Sequence, residues 1–380
     1  MKVLFIISVL KQGRGGHYHS LNHISREVGS RESVGILSLG TSKSDILINN
    51  PYFKGHIHFN GLNIWYLKKE LSSVLLELKP DIIHFFDSNA YNICKLFVKK
   101  KFKLVTNLCG GPNPADHPKV ENLVLFSKEN LMWFESREKY KNTLKMLIPN
   151  RSSKITVHSE ADISKDASKF CLVRIARISH FHFNSIKQTV NLVKLLNKQE
   201  FKIRLYLIGT IQDQDALVKL FELIEGRTDI TLLTDDRYTK EASKMLYLAD
   251  AVIATGRGIM EGASLGLPVL TPAKNSEIPI LINDENFENF FSTNFSERNV
   301  ASAKDLRDNL YNIKRLTEDH AYYDDMYNFS LQLFKNNFDV KEALLKYTEM
   351  YKLSLENTYS VSIFSDVYLK IRSLYHFYLS

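Results

Sequence analysis

The 380-residue sequence predicts an α/β protein with two domains, each built around a parallel β-sheet. Short apolar runs alternate with segments of helical length, and the whole scheme occurs twice along the chain. A chain of this length exceeds what one hydrophobic core ordinarily holds. The polar segment from Pro149 to Lys169 has no sustained periodicity, so we place the domain boundary there.

Ten apolar runs are predicted to be strands, because each is short and lies between segments of helical period. Strands that are separated by helices pair in parallel through right-handed crossovers. The runs are Val3–Val9, Val34–Leu39, Ile82–Phe86, Leu104–Leu108 and Leu123–Phe126 in the first half, and Phe170–Ile175, Arg204–Ile208, Ile230–Leu233, Ala251–Ala254 and Val269–Thr271 in the second.

The composition indicates a globular protein. Hydrophobic residues make up 44% of the chain and charged residues 24%, and no run approaches the roughly 18 apolar residues of a membrane-spanning helix. The apolar start of the chain is too short for a signal peptide and has no small-residue cleavage site. Cys94, Cys109 and Cys171 follow no disulfide or zinc spacing. We therefore expect a cytoplasmic protein.

The net charge of +8 is concentrated in one region. Between Lys95 and Lys154 the chain has thirteen Lys and Arg residues against five Asp and Glu, an excess equal to that of the whole chain. Such a region, with its lysine run from Lys99 to Lys103, suits an anionic membrane surface. Nucleic acid is not expected as a partner, because no recognised nucleic-acid-binding module accompanies the charge.

A ligand site is predicted near residue 255. The strand Ala251–Ala254 leads into Gly256 and Gly258, and a helical pattern follows. A helix N-terminus offers backbone N–H groups and partial positive charge to a phosphate, and glycine lets the backbone approach the ligand closely. Glu261, expected in the first turn of that helix, accepts hydrogen bonds when ionised and suits the two hydroxyls of a ribose. The segment therefore predicts a nucleotide site.

The same segment resembles the nucleotide-sugar site of GT-B glycosyltransferases of the family 4 type, also called glycosyl transferases group 1. The residues that carry the resemblance are Ala249-Asp250, the apolar strand, Glu261, Ala263 and Gly266-Leu267-Pro268-Val269. Glu261 matches the second glutamate of the family's pair, whereas the register of the first falls on Ile253. The resemblance implies donor contacts from Gly256, Arg257, Gly258 and Gly262.

The resemblance also implies how the donor's phosphates are held. Arg177 follows the strand Phe170–Ile175, and Lys187 comes ten residues later, after a predicted loop His180–Ser185. In the family, an arginine and a lysine neutralise the departing diphosphate without a metal. We therefore expect no metal and no cofactor, and Thr234 is the residue implied to contact the base.

Two further motifs are interpreted as structural. Asp213-Gln214-Asp215 has the form of a metal-binding motif, but it opens a predicted helix, where Asp213 is expected to act as the N-cap. Pro80 to His84 resembles a strand of the family, and we interpret it as part of the core.

Glycine turns follow two strands of the first half. Gly15 and Gly16 resemble the family's turn after the first strand, and Gly110, Gly111 and Asn113 follow the strand Leu104–Leu108. The resemblance implies that these residues line the substrate site. Cys109 occupies the position where many relatives have a histidine, and we interpret it as a packed thiol.

The resemblance implies two Rossmann-like domains whose sheets face each other across a cleft, with a C-terminal helix that crosses back to the N-domain. The predicted segments are 1–155 for the N-domain, 156–350 for the C-domain and 351–380 for the crossing helices. Asn150 lies at the implied crossing and is included in the substrate site. The last helix, Tyr359 to Tyr378, is expected to pack on the N-domain; the alternative is that its aromatic residues lie on a membrane.

The implied activity is transfer of a hexose from a UDP- or GDP-sugar to a hydroxyl acceptor, with retention of configuration. Given the basic N-domain, we expect the acceptor to be a lipid-linked glycan of bacterial envelope polysaccharide, either O-antigen of lipopolysaccharide or capsule, and the protein to contact the inner face of the plasma membrane peripherally. A nucleotide-sugar 2-epimerase and a non-catalytic nucleotide-sugar-binding partner subunit remain alternatives.

Overall fold

A computed structural model describes residues 1–10, 13–157 and 162–380. The backbone divides into two compact units: unit 1 is Met1–Ser152 with Val340–Ser380, and unit 2 is Ser153–Asp339. The predicted boundary segment 149–169 contains this division, and its residues 158–161 lie outside the described part of the chain. Among the described residues, no helix combines the length and the apolar character needed to cross a bilayer.

Unit 1 contains a seven-stranded sheet in which every pairing is parallel. The strand order is β3-β2-β1-β4-β5-β6-β7. The strands are β1 (Lys2–Val9), β2 (Ser33–Gly40), β3 (Phe53–His58), β4 (Ile82–Phe85), β5 (Lys103–Leu108), β6 (Asn122–Leu125) and β7 (Leu144–Leu147), and the helices are α1 (Gly16–Val28), α2 (Asp45–Ile48), α3 (Ile64–Leu78), α4 (Ser88–Cys94) and α5 (Lys128–Glu135).

Unit 2 contains a six-stranded sheet in the order β10-β9-β8-β11-β12-β13, with only β13 antiparallel. Its strands are β8 (Phe170–Ile175), β9 (Ile203–Ile208), β10 (Ile230–Leu233), β11 (Ala251–Ile253), β12 (Val269–Thr271) and β13 (Ile280–Leu281). Its helices are α6 (His180–Lys198), α7 (Gln214–Ile224), α8 (Asp236–Thr239), α9 (Arg257–Ser264), α10 (Phe287–Ser292), α11 (Ala303–Glu318) and α12 (His320–Asn337).

The last two helices, α13 (Val340–Glu356) and α14 (Val367–Tyr378), belong to unit 1. The chain therefore returns to this unit at Val340, earlier than the predicted residue 351. The reason is that the whole of α13 packs against α1 and β5. On this helix the buried hydroxyl of Tyr351 lies 3.0 Å from Nδ1 of His84 in β4. Burial lowers the pKa of His84 to about 3, as a core histidine requires.

All ten predicted strands are present, but three strands lack the sequence signal that found the others. β3 and β7 form the two edges of the first sheet, and their side chains are mostly half-exposed. Edge strands need no continuous apolar run, so their sequences include Lys54, His56 and Lys145. β13 has only two residues and is too short for periodicity to reveal.

Candidate functional site

The strand order of unit 2 reverses beside β8. The chain proceeds from β8 outward through β9 to β10, and then continues on the other side of β8 with β11 and β12. In open α/β sheets, ligands bind beyond the carboxyl ends of the strands at such a reversal. The turns after β8 and β11 are therefore the candidate site. These two strands pair directly, with Ile253 opposite Arg174.

The turn after β11 is built on Gly256, whose φ of +50° favours glycine. α9 begins at the next residue, Arg257, and has no side-chain cap. Gly258 is the second residue of this helix. Ile253, the register position of the family's first glutamate, is the last residue of β11 and is fully buried in an apolar cluster, so a carboxylate at that position would lie in the core. The predicted glycine turn is thus at the strand reversal.

Glu261 lies in the second turn of α9, and not in the first as predicted, because the helix starts at Arg257. Nε of Arg257 donates a 2.6 Å hydrogen bond to Oε1 of Glu261, and both side chains are largely buried. The ion pair holds the carboxylate in a fixed orientation, and it places a cation rather than an anion at the start of the helix. A phosphate would therefore meet both the helix N-terminus and Arg257.

Gly262 has a packing role, and its predicted donor contact stays a prediction. It lies on the buried side of α9, where an added Cβ would be 3.1 Å from Cβ of Val252 and from Cγ1 of Val269. Those residues belong to β11 and β12, so the absence of a side chain lets the helix lie close to the sheet.

Arg177, after β8, is exposed and connected to a buried group of side chains. Its Nη2 lies 3.2 Å from Nε2 of His182, whose Nδ1 lies 2.7 Å from Oε1 of Glu297. Because Arg177 can only donate, the geometry assigns the proton of a neutral His182 to Nδ1, which donates to Glu297. Burial raises the pKa of Glu297, but hydrogen bonds from His182 and Ser185 outweigh it and hold that pKa below its usual range.

Arg174 in β8 completes this group. It is 1% exposed, and its Nη2 donates a 2.8 Å hydrogen bond to Oγ of Ser185. The same hydroxyl lies 2.7 Å from Oε1 of Glu297. Burial lowers the pKa of Arg174 to about 10, against the attraction of Glu297. Arg174 therefore holds Ser185, Ser185 and His182 both contact Glu297, and His182 in turn contacts Arg177. We call Arg174, Ser185, His182 and Glu297 the anchor group.

Lys187 lies on α6, two turns beyond its start, because the predicted loop His180–Ser185 is helical. It faces a pocket of about 270 Å³ between this helix and the loop that follows β12. Lys274 and Glu297 line the same pocket. The residues that line the pocket, all of polar type except Pro272, are Asn184, Ser185, Lys187, Gln188, Asn191, Pro272, Lys274, Ser276, Glu277 and Glu297.

The sequence interpretation missed Lys274 and the anchor group. Ser179-His180-Phe181-His182 begins two residues after Arg177 and was a local signal for His182. No local signal exists for Glu297, because it is 115 residues from His182 along the chain. Thr234 is half-buried and follows β10, the outer strand of the unit 2 sheet. It lies at the carboxyl edge, as predicted, but two strands away from β8, where the strand order reverses.

Asp213 is the N-cap of α7, as predicted, and its side chain accepts hydrogen bonds from the backbone N–H groups of Asp215 and Ala216. Its second oxygen lies 2.7 Å from Nε2 of His180. Within the described part of the chain, His180, Asp213 and Asp215 each bring one ligand atom within 4.8 Å of the others. His180 and Asp215 are exposed, and the capping bonds account for one oxygen of Asp213.

The predicted residues of unit 1 lie mostly at the carboxyl edge of its sheet. Gly15 is the N-cap of α1 and Gly16 its first residue, and an added Cβ on Gly16 would meet nothing within 4 Å. Gly110, Gly111 and Asn113 follow β5, where Nδ2 of Asn130 donates to Oδ1 of Asn113 and fixes this loop. These turns are open to a ligand.

Cys109 and Asn150 are held in the interior. The thiol of Cys109 donates to the carbonyl oxygen of Phe86, and burial raises the pKa of the thiol to about 12, so the residue is a packed thiol as predicted. Asn150 is 1% exposed and accepts a hydrogen bond from Nζ of Lys346 on α13. Its side chain therefore helps to fasten α13, and its predicted substrate contact stays a prediction.

No protein-family model and no curated protein sequence matches the chain. Solved structures do match over nearly its whole length. A glycosyltransferase from Rickettsia africae ESF-5 is 14% identical, with 94% of this chain and 99% of that chain covered and a TM-score of 0.66. Sucrose-phosphate synthase from Thermosynechococcus elongatus is 12% identical, with 93% and 99% covered and a TM-score of 0.63.

A UDP-GlcNAc 2-epimerase from Neisseria meningitidis, solved with UDP-GlcNAc, is 15% identical, with 93% of this chain and 100% of that chain covered and a TM-score of 0.56. At such identities the similarity concerns the fold. The two parallel-sheet, Rossmann-like units and these full-length matches show that the chain has the GT-B fold.

Proposed function

We propose that the protein is a glycosyltransferase that moves a sugar from a nucleoside-diphosphate sugar to a hydroxyl acceptor. The observation that carries the proposal is the pair of turns at the strand reversal of unit 2. One turn presents Arg177 on its anchor group, and the other presents the start of α9 with Arg257 and Glu261. Cations and backbone N–H groups suit a diphosphate, and a fixed carboxylate suits a ribose.

The chemistry assigned to these residues is stabilisation of the leaving group. When the glycosidic bond breaks, negative charge develops on the departing diphosphate. Arg177, oriented by His182, and Lys187, in the adjoining pocket, neutralise that charge in the proposed mechanism. Glu261 holds the ribose, and Gly256, Arg257 and Gly258 approach the phosphates. The proposed reaction retains configuration and needs no metal.

The proposed acceptor is a lipid-linked glycan of bacterial envelope polysaccharide, O-antigen or capsule. The turns with Gly15, Gly16, Gly110 and Gly111 are proposed to contribute the acceptor side, since they are open and at the carboxyl edge of their sheet. The cytoplasmic location and the peripheral membrane contact belong to the same proposal.

Incubation with a panel of radiolabelled UDP-, GDP- and other nucleotide sugars, with and without lipid-linked acceptor, tests the activity. We expect sugar transfer that depends on the acceptor, and a kcat that falls more than donor affinity in Arg177→Ala and Lys187→Ala. The exposed Lys219→Ala on α7 is the matched control. If none of the donors releases its sugar and none of them binds, the proposal is refuted.

The proposal that the reaction needs no metal is tested at Asp213. Asparagine is also a good N-cap, so Asp213→Asn keeps the cap but weakens the group of ligand atoms formed with His180 and Asp215. We expect wild-type activity in EDTA and in Asp213→Asn. Loss of activity in EDTA, restored by manganese in the wild type but not in Asp213→Asn, would instead assign a metal to this cluster.

The 2-epimerase alternative is supported by the match to the epimerase from Neisseria meningitidis, whose structure contains UDP-GlcNAc. An epimerase would convert UDP-GlcNAc without any acceptor, so the arms of the panel without acceptor separate the two activities. A non-catalytic partner subunit would bind a nucleotide sugar and show neither reaction. Isothermal titration with the same donors identifies that outcome.

A further inference from the structure

Helix α14 presents an apolar stripe to solvent. Its inner side packs on unit 1, where Ser373 contacts Asn89 and Asn92 of α4, and Phe377 lies against the ring of Phe59 with centroids 4.9 Å apart. Its outer side carries six side chains that are each 48–64% exposed, namely Val367, Tyr368, Ile371, Tyr375, Tyr378 and Leu379. At 100° per residue they span a continuous sector of about 120°. A soluble helix ordinarily has polar residues there.

The start of α3 extends this stripe. Gly61 lies directly against the last turns of α14, since an added Cβ would be 2.4 Å from the carbonyl oxygen of Leu374 and 3.0 Å from the amide nitrogen of Tyr378. Leu62 and Trp65 follow at once and are 68% and 79% exposed. Trp65 is the more exposed of these two side chains. The aromatic surface, as we call the α14 stripe with Leu62 and Trp65, therefore spans two elements of unit 1.

Basic side chains border the aromatic surface. Arg372 and His376 are exposed along one side of the α14 stripe, and Nζ of Lys68 lies 5.2 Å from the ring centroid of Trp65, next to the exposed Lys69. The sequence of α14 contains no Asp or Glu. Tyr and Trp rings beside Lys and Arg are the combination found at the interface of anionic lipid. Pairing with a second copy would instead bring these cations against each other.

The position of the aromatic surface distinguishes it from the lysine run Lys99–Lys101. The hydroxyl of Ser380, just after α14, lies 3.0 Å from that of Thr41, which follows the carboxyl end of β2. The aromatic surface thus reaches the sheet edge that carries Gly15 and Gly16. The lysine run precedes β5 and lies at the opposite edge. Docking through the C-terminal end of the aromatic surface, unlike docking through the lysine run, brings the edge with those glycine turns towards the bilayer.

We propose that unit 1 docks on an anionic lipid bilayer through the aromatic surface, with Lys68, Lys69 and Arg372 at the level of the phosphate groups. The choice of a lipid surface rests on the proposed function, because a lipid-linked acceptor lies in that plane. The surface takes the place of the Lys95–Lys154 region as the expected membrane contact. In that region Lys95 is buried in an ion pair with Glu121, and Lys139 is paired with Asp116 and Asp366.

Fluorescence of Trp65 provides a direct test. The chain contains two tryptophans, so Trp133→Phe leaves Trp65 as the only one, and no nucleotide sugar is needed. With vesicles that contain phosphatidylglycerol, we expect a blue shift of Trp65 emission and quenching by brominated lipid. With pure phosphatidylcholine vesicles both effects should be weak. Emission of Trp65 that stays unchanged with the phosphatidylglycerol vesicles would contradict the proposal.

Co-sedimentation of the chain without the tryptophan change provides the second test. Changing Ile371, Tyr375 and Tyr378 together to Ser should lower partitioning onto anionic vesicles at least about tenfold. The matched control replaces Val218 and Phe221, which are 56% and 55% exposed on α7 of unit 2, by Ser. Circular dichroism spectra and melting curves verify that both variants are folded. We expect the control and Arg177→Ala to bind like the wild type, so failure of catalysis is separable from failure of docking.

Three outcomes would overturn the docking proposal. The first is equal binding to neutral and anionic vesicles. The second is loss of binding when Lys99, Lys100 and Lys101 are changed to Gln while the α14 variant still binds. The third is a dimer in analytical ultracentrifugation that the α14 variant abolishes, without vesicle binding by the wild type, which would assign the surface to a second copy.

Discussion

At the scale of single residues, the Arg257–Glu261 pair is the sharpest test of the donor site. Glu261→Ala should lower turnover and donor affinity by at least roughly tenfold, equivalent to about 1.4 kcal/mol, because it removes the carboxylate proposed to accept hydrogen bonds from the ribose and breaks the ion pair with Arg257. Steady-state kinetics and donor titration measure both effects. Glu222→Ala, at an exposed position of α7, is the control. Wild-type values in Glu261→Ala would remove this residue from the site.

Glu297 gives a prediction about pH. Its pKa in the folded protein lies below the ordinary 4.5, so the ionised carboxylate stabilises the fold above that pH, and the contribution is lost as the pH falls through the folded pKa. Glu297→Gln should therefore be less stable than the wild type at pH 7, with a difference that narrows in acid. Urea unfolding at pH 7 and at pH 3 measures this, and Glu222→Gln should show no such change.

The same substitution has a catalytic consequence. Because Glu297 fixes the ring of His182, and His182 receives the hydrogen bond from Arg177, Glu297→Gln should lower kcat more than donor affinity. A purely structural role would leave kcat of the folded variant unchanged. Glu297 is a positioning residue in this account, since it acts through His182.

The residues of the site differ in how far the sequence predicts them. Arg177 and Gly256 follow apolar runs, and the carboxyl ends of parallel strands collect at one edge, so their position was predictable. The contact of His182 with Glu297 was not, because the two residues are 115 positions apart along the chain and meet only through folding. The contact of Asn150 with Lys346 was unpredictable for a related reason, because Lys346 lies on a helix nearly two hundred residues later.

At the scale of elements, two glycines test how α9 and α1 are built. Gly262→Ala should destabilise unit 2 by about 1–3 kcal/mol, because the new methyl group would lie 3.1 Å from Val252 and Val269. Gly16→Ala should leave stability nearly unchanged, because nothing lies within 4 Å of its Cβ. Chemical denaturation of the two variants checks this contrast, and equal stabilities would show that α9 moves away from the sheet without penalty.

Strands were predicted correctly where both faces of the sheet are buried, because such strands have a continuous apolar sequence. The inner strands β1, β8 and β11 were found for this reason. The start of α6 was mistaken for a loop, because His180, His182 and Asn184 interrupt the apolar pattern. His182 belongs to the anchor group and Asn184 lines the pocket, so the segment that was mistaken for a loop is part of the candidate site.

At the scale of the whole molecule, the two units should respond differently to ligand. Each has its own hydrophobic core, and both tryptophans, Trp65 and Trp133, lie in unit 1. A nucleoside diphosphate that binds unit 2 should raise the unfolding temperature of that unit by mass action. We expect the circular dichroism transition to shift upward with UDP or GDP, and the tryptophan fluorescence transition to shift less. Equal shifts of both signals would show that the units unfold as one.

The discontinuity of unit 1 has a consequence for biosynthesis. Residues 153–339 contain all of unit 2, whereas unit 1 is completed by Val340–Ser380. Until that tail leaves the ribosome, His84 lacks Tyr351 and Phe59 lacks Phe377. Unit 2 can therefore finish folding before unit 1. Until Val340–Ser380 is available, the part of unit 1 already translated has apolar surface exposed. Nonsense mutations after residue 339 would consequently prevent unit 1 from folding. We expect chaperones to bind the exposed apolar surface of unit 1 on the nascent chain.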